Sequence, residues 1–424
     1  MHAREDLNTN ARNPISSPIS SPIIGSLIIG SLIIVFLNAC TGSFEGGNSS
    51  ARLVFANPTA GTINCLNDAG TSQPIAVGIG LLITDTNLEQ SGQLANCTSV
   101  ATESAPYDLA TTATGDRIIV SLPGSGRLEV RSNKVNSPVI AKLLPKTGEF
   151  CPTRLALSAN AQRIAVLDDP DAPKDPNNPN APERICTNTG NRPPRVLVFD
   201  LSAIGASTTT LEPIRVATGG LSGTFQTDRA NGPLALTQND TQAFVIAPIT
   251  SYAIFKLNKD NDAQVSPQEL RLAGLQTLDQ TLRLNLTNVG ARLLFTYSNN
   301  SGLGGAYFVT INPNTLSFEQ VVLNTKPLAA TTRAVWNRRP NDSLIAYLQP
   351  NQVVFQRISA PASNSKAIPV GNPIDAAFTT DGYAWVLQPG GVSRFDVTTL
   401  TTINNSSFAS LNLNARAIGT FIQQ

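Results

Sequence analysis

Histidine is almost absent from this chain of 424 residues; the only one is His2. Its scarcity removes Ser-His-Asp and Cys-His catalysis, imidazole acid–base work, and histidine-ligated zinc, copper or haem from the body of the protein. Any chemistry there falls to Asp, Glu, Lys, Arg, Tyr or Cys. Charged residues make up only 14% and nearly cancel, at a formal net charge of +1. No Lys/Arg run or basic stripe is present, which argues against a nucleic-acid partner. Aromatic residues are 6% of the chain, too few to favour a sugar-stacking platform. Trp336 and Trp385 both fall in apolar strand patterns, where packing is the expected role. Long helical periodicity is missing as well. One apolar run stands out, Ile23 to Leu37, and its fifteen residues fall short of the ~20 that a helix needs to cross ~30 Å of hydrocarbon.

That run suits the apolar stretch of an export signal. It ends at Leu37-Asn38-Ala39-Cys40. These residues resemble the lipobox of bacterial lipoprotein precursors, in which a small residue precedes a cysteine. The resemblance implies cleavage before Cys40 and a diacylglycerol on its thiol. It places the mature chain in the bacterial cell envelope, held to a membrane through its N-terminal lipid. Thr41, rather than Asp, after the cysteine implies the outer membrane or cell surface in a Gram-negative cell. Each buried CH₂ adds about 0.8 kcal/mol, so two acyl chains make a lasting anchor. The expected organisation is a signal peptide over 1–39, a lipidated flexible tether over 40–50, and one folded domain over 51–424. A plain N-terminal membrane anchor, or secretion with a cut near Ala39, is the alternative.

Four cysteines remain after Cys40: Cys65, Cys97, Cys151 and Cys186. An even number in an exported chain points to disulfides, and four cysteines allow three pairings. Cys65–Cys97 and Cys151–Cys186 are favoured because each closes a local, irregular loop. No Cys-x-x-Cys spacing suggests a metal site.

From residue 109 onward a weak pattern repeats: short apolar strands broken by Gly, Asn, Asp and Pro. Copies begin at Leu109, Leu155, Leu234, Leu284, Ala334 and Ala376. Their first turns fall near Gly115, Ala161, Thr241, Gly290, Asp342 and Gly382, mostly 40 to 52 residues apart. The longer step between Ala161 and Thr241 holds a Pro/Asp-rich insert over 168–194 and a Gly-rich stretch over 218–232. A period of this length with four short strands per copy predicts one propeller blade per repeat. The expected fold is all-β: a seven-bladed β-propeller of four-stranded antiparallel blades, with eight the alternative count. Ala51–Val77 reads as a blade lacking its first strand, and Asn414–Gln424 as a first strand lacking the rest. Joining the two ends in one blade closes the ring and removes an exposed edge.

The pattern resembles the broad superfamily of YVTN and lactonase-like propellers. The likeness lies in a rhythm of apolar strand, turn, apolar strand and Asp, as in Arg195–Leu201 (RVLVFDL) and Val392–Val397 (VSRFDV). It implies a fold and carries no catalytic residue across. One calcium candidate follows from the residues themselves. Asn258, Asp260, Asp262, Ser266 and Glu269 have the spacing of an EF-hand loop, with Ala263 where the loop's glycine belongs. A polar hairpin is the plainer reading. The carboxylates Asp168, Asp169, Asp171 and Asp175 of the insert could also hold a hard cation, though such loops are usually solvated. No other cofactor is expected. The leading functional expectation is a non-catalytic binding scaffold for an envelope protein or polymer, with the insert as its contact. The alternatives are a lactonase-like hydrolase using channel carboxylates or bound calcium, and a carbohydrate-binding module.

Overall fold

The computed structural model describes residues 50–86, 93–112, 114–158, 160–172, 174, 183–186, 194–205, 209–217, 234–236, 242–246, 252–256, 268–270, 283–289, 292–298, 303–311, 318–329, 333–337, 344–357, 365–399, 401–402, 408–411 and 414–423. Among them, strands dominate, and the helical segments are two 3₁₀ turns at Pro123–Ser125 and Leu201–Ala203. Six sheets follow the six repeats in chain order. In each, successive strands pair antiparallel, as Pro152–Leu157, Arg163–Asp168, Arg195–Asp200 and Arg215–Ala217 do. Another sheet is built from both ends of the chain: Ala417–Gln423 pairs with Ser50–Asn57, then Gly80–Asp85, then Thr98–Ala101.

The first strands of these sheets form a ring. Leu109–Thr111, Pro152–Leu157, Leu234–Leu236, Arg283–Val289, Arg333–Trp336 and Asp375–Phe378 lie against one another in chain order. The last of them meets Ala417–Gln423, which returns to Leu109–Thr111. The C-terminal segment thus supplies the first strand of the closing sheet, as its sequence indicates.

The remainder of the closing sheet differs from expectation. Gly61–Leu66 and Ser72–Val77 leave it and form a three-stranded sheet with Leu94–Ala95. The stretch 79–106, unassigned in the sequence, provides the third and fourth strands instead. The reason is burial. Most of Ser72–Val77 is exposed, whereas every residue of Gly80–Thr84 is buried. A strand between two packed sheets must be apolar on both faces, and only the second segment meets that demand.

The same logic runs through the second and third strands of the repeats. Ile118–Leu122, Ile164–Asp168 and Leu344–Gln349 are buried throughout. Their side chains join neighbouring sheets: Ile119, Leu128 and Val130 pack with Leu157, Ile164 and Phe199, and Trp385 and Leu387 pack with Leu53 and Ile418. Each such side chain contributes roughly 1.5–3 kcal/mol. The Asp of the recurring rhythm caps a turn. Asp200 accepts from the Ser202 N–H (3.0 Å), and Asp396 from the Thr398 and Thr399 N–H groups (2.7 and 2.9 Å). Three of the turn marks read from sequence carry a left-handed backbone: Gly115 (φ +69°), Ala161 (φ +57°) and Gly382 (φ +94°).

Candidate functional site

The ring of first strands brings their starting residues together at one mouth of the central channel. Asp108 precedes Leu109–Thr111, Arg154 lies early in Pro152–Leu157, Arg333 and Asp375 open their strands, and Arg416 precedes Ala417–Gln423. Both carboxylates tie one sheet to the next. Asp108 Oδ1 accepts from its neighbour Leu109 N–H (2.9 Å), and Oδ2 from Leu155 N–H across the sheet boundary (3.0 Å). Arg154 stands 3.8 Å from it. Asp375 repeats the device: Oδ1 accepts from Ala376 N–H (2.8 Å), Oδ2 from Ile418 N–H (3.0 Å), and Arg333 Nε lies 3.2 Å away.

These charges feel one another. Burial raises the Asp375 carboxyl above its ordinary value; Arg333 and the two backbone donors oppose this, and the Asp108 charge adds to it. Burial works to lower the Arg333 guanidinium, but Asp375 and then Asp108 outweigh it and hold it above its ordinary value. Arg333 still keeps 27% of its side-chain surface, as a residue on a channel wall does.

Tyr107 sits beside this cluster at 1% exposure. Two guanidiniums stand over its ring, Arg154 5.8 Å and Arg416 5.5 Å from the centroid, a doubled cation–π contact. Burial pushes its phenol up to about 12, with Arg154 and Arg416 pulling the other way. The insert borders the same mouth. Asp169 N–H donates to the Cys151 carbonyl (3.0 Å), and Arg416 donates to the Lys174 carbonyl (2.7 Å). Asp168 accepts from Cys151 N–H (2.7 Å) and pairs with Arg195 (2.6 Å).

No family model and no curated sequence matches the chain. Solved structures do. One is a proposed 6-phosphogluconolactonase from Bacteroides fragilis, at TM-score 0.53 and 11% identity, covering 88% of this chain and 98% of that one. Another is AztD from Citrobacter koseri, at TM-score 0.51 and 11% identity over 89% and 99%. The β-propeller domain of Cps50 (Swd1) from Myceliophteria thermophila matches at TM-score 0.50 and 10% identity over 76% and 92%. The fold is a β-propeller. At such identities the likeness extends to fold alone.

Within the propeller, the expected disulfides are present, Cys65–Cys97 and Cys151–Cys186. The second fastens the insert to the strand that carries Arg154. Asp168 is fully buried, so it anchors the base of the insert rather than facing solvent or a cation. Among the described residues no group of carboxylates, cysteines or histidines is arranged to hold a metal. Cys40, Asp175 and the calcium candidates Asn258, Asp260, Asp262 and Ser266 lie outside the described residues. Glu269 falls in the strand Gln268–Leu270. Trp385 is fully buried and offers no platform to a sugar.

The mouth itself was missed in the sequence, although a signal exists there. Each repeat copy was read from its first apolar residue. The residue just before is Asp108, Arg154, Arg283, Arg333 or Asp375 in five of the copies. An ionisable residue just outside the apolar pattern, in five of the six copies, marks the ring.

Proposed function

We propose that the mature chain is a lipid-anchored propeller of the cell envelope that binds rather than cleaves, using the charged mouth and the insert beside it. One observation carries the non-catalytic reading: both mouth carboxylates have every oxygen engaged by backbone N–H donors and stand beside guanidiniums. Each oxygen keeps a second lone pair, but a backbone N–H bond within its own blade or across to the next fixes its position, which suits a tie between blades better than a general base or nucleophile aimed at a substrate. The near absence of histidine points the same way. Lipid anchorage rests on Leu37–Cys40 and on an export signal that agrees with two disulfides.

Two measurements test this reading. Intact mass of the membrane-derived protein should show diacylglycerol on an N-terminal Cys40, and Cys40→Ala should release the chain from the membrane fraction. Detergent-solubilised full-length protein should leave 6-phosphogluconolactone and simple lactones at their spontaneous hydrolysis rate. Turnover that disappears in Asp108→Asn or Asp375→Asn would establish the hydrolase instead.

A further inference from the structure

We propose that a cavity beside the Cys65–Cys97 disulfide binds a small zwitterion, a short peptide with free amino and carboxyl ends. The cavity holds about 440 Å³, within the roughly 300–1,000 Å³ of small-molecule sites. It is separate from the mouth: Arg416 stands at the mouth just before the strand Ala417–Gln423 begins, and Gln423, which ends that strand, lines the cavity. Three segments wall it. The hairpin Gly61–Val77, outside the blade pattern, brings Asp68 and Gln73; the turn after Arg127–Ser132 brings Lys134 and Asn136; the closing sheet brings Arg52 and Gln423. These walls are pre-built. Asn67 Oδ1 accepts from the Ala69 and Thr71 N–H groups (3.0 and 2.9 Å), and the disulfide pins the hairpin to Cys97. Asn133 donates to the Ile422 carbonyl (2.8 Å), and the Ser137 hydroxyl to the Ser132 carbonyl (3.0 Å). A site already held in shape costs less to occupy.

The lining selects the ligand. Arg52 is already neutralised: its Nη1 lies 2.6 Å from Asp85 Oδ1 and donates to the Asn96 carbonyl (3.3 Å). Lys134 and Asp68 are exposed and have no ion-pair partner among the described residues. The cavity thus offers one open charge of each sign. A simple anion or a metal cation would meet one and be repelled by the other. A neutral sugar would meet neither, and Phe421, only 3% exposed, gives it no stacking face. A zwitterion meets both. Beside the charges stand the carboxamides of Gln73, Asn136 and Gln423, each both donor and acceptor, as a peptide group is. Cys65, Leu66, Ile83 and Phe421 supply an apolar floor, each at most 5% exposed, for an aliphatic side chain.

The test is calorimetric titration of the full-length protein in detergent with the tripeptides Ala-Leu-Ala, Ala-Val-Ala and Gly-Leu-Gly. At least one should bind saturably. The same tripeptide, acetylated at its amino end and amidated at its carboxyl end, should bind about ten-fold more weakly because both charged contacts are lost. Lys134→Gln and Asp68→Asn should each weaken the free tripeptide roughly two- to five-fold. Both should leave the unfolding midpoint near wild type, since the side chains are exposed. Lys134→Arg should retain binding. Silence toward all three tripeptides would leave the cavity to water and overturn the proposal. Equal affinity for the blocked peptide, or unchanged affinity in both variants, would overturn it as well. So would tighter binding of maltose or phosphoethanolamine than of any tripeptide. The reading of the mouth stands or falls separately, on lactone turnover and on Asp108 and Asp375.

Discussion

Ala161 holds a left-handed φ of +57° in the first turn of its repeat, where the first and last repeats carry Gly115 and Gly382. An L-residue with a Cβ is disfavoured there by roughly 1–2 kcal/mol. Ala161→Gly should therefore stabilise the protein by up to about 1 kcal/mol, seen as a higher urea midpoint with unchanged slope. Gly115→Ala should do the reverse and more strongly, since the added Cβ would stand 2.7 Å from the Ile422 backbone nitrogen. Asp375 poses a different problem. Asp375→Ala strips Arg333 of its partner and leaves the Ala376 and Ile418 N–H groups unanswered. Removing one member of a buried pair costs about 3–5 kcal/mol; because Arg333 retains some water contact, about 2–3 kcal/mol is expected from denaturation curves.

At the scale of elements, the repeats were legible because strands between packed sheets must be apolar on both faces, and because the turns need Gly, Asn or Asp. Asp396 is one such turn residue. Its bonds to the Thr399 and Thr398 N–H groups hold its carboxyl below the ordinary value of 3.8. The sign follows: its contribution is fully present above the unfolded value and is lost as pH falls through the lower folded one. Asp396→Asn should flatten the fall of stability with acid below about pH 4, measured by urea unfolding across that range. What stayed illegible has equally physical causes. The hairpin Gly61–Val77 carries the same local strand signals as a blade strand, and only burial tells the two apart. The mouth residues were overlooked because strand patterns are read from apolar positions, and a channel lining is the place where that pattern is broken. Disulfides were legible because each pair closes a local, irregular loop in a chain read as exported. Cys151–Cys186, 35 residues apart, should lower unfolding stability by up to about 4 kcal/mol when both are changed to serine, by the chain-entropy account. If the insert helps to form the mouth, that variant should also bind any mouth ligand more weakly.

The whole molecule turns on the strand Ala417–Gln423, which joins the two ends of the chain and the two ends of the channel. Arg416 stands at the charged mouth, and Gln423 pairs with Ser50 at the other end. Seven residues of extended strand separate the ends by roughly 20 Å. Ser50, the first of the described residues, therefore lies on the face opposite the mouth. A cavity of about 440 Å³, lined in part by Arg52, Lys134, Val135 and Phe421, opens on that face. Under the proposed lipidation, about ten residues separate Cys40 from Ser50, and a Gly/Ser-rich chain of that length has a typical span of only about 17 Å. If Cys40 carries the proposed lipid, the cavity face should be held toward the membrane, with the mouth and insert directed outward. The expectation can be measured on protein reconstituted into vesicles. A dye at position 135, where Val135 is 65% exposed, should be quenched by a lipid-headgroup quencher. The same dye at position 174, where the Lys174 side chain is 62% exposed beside the mouth, should not be. Equal quenching at both positions would show that the tether leaves the propeller free to tumble, and the outward-facing mouth would then owe nothing to the anchor.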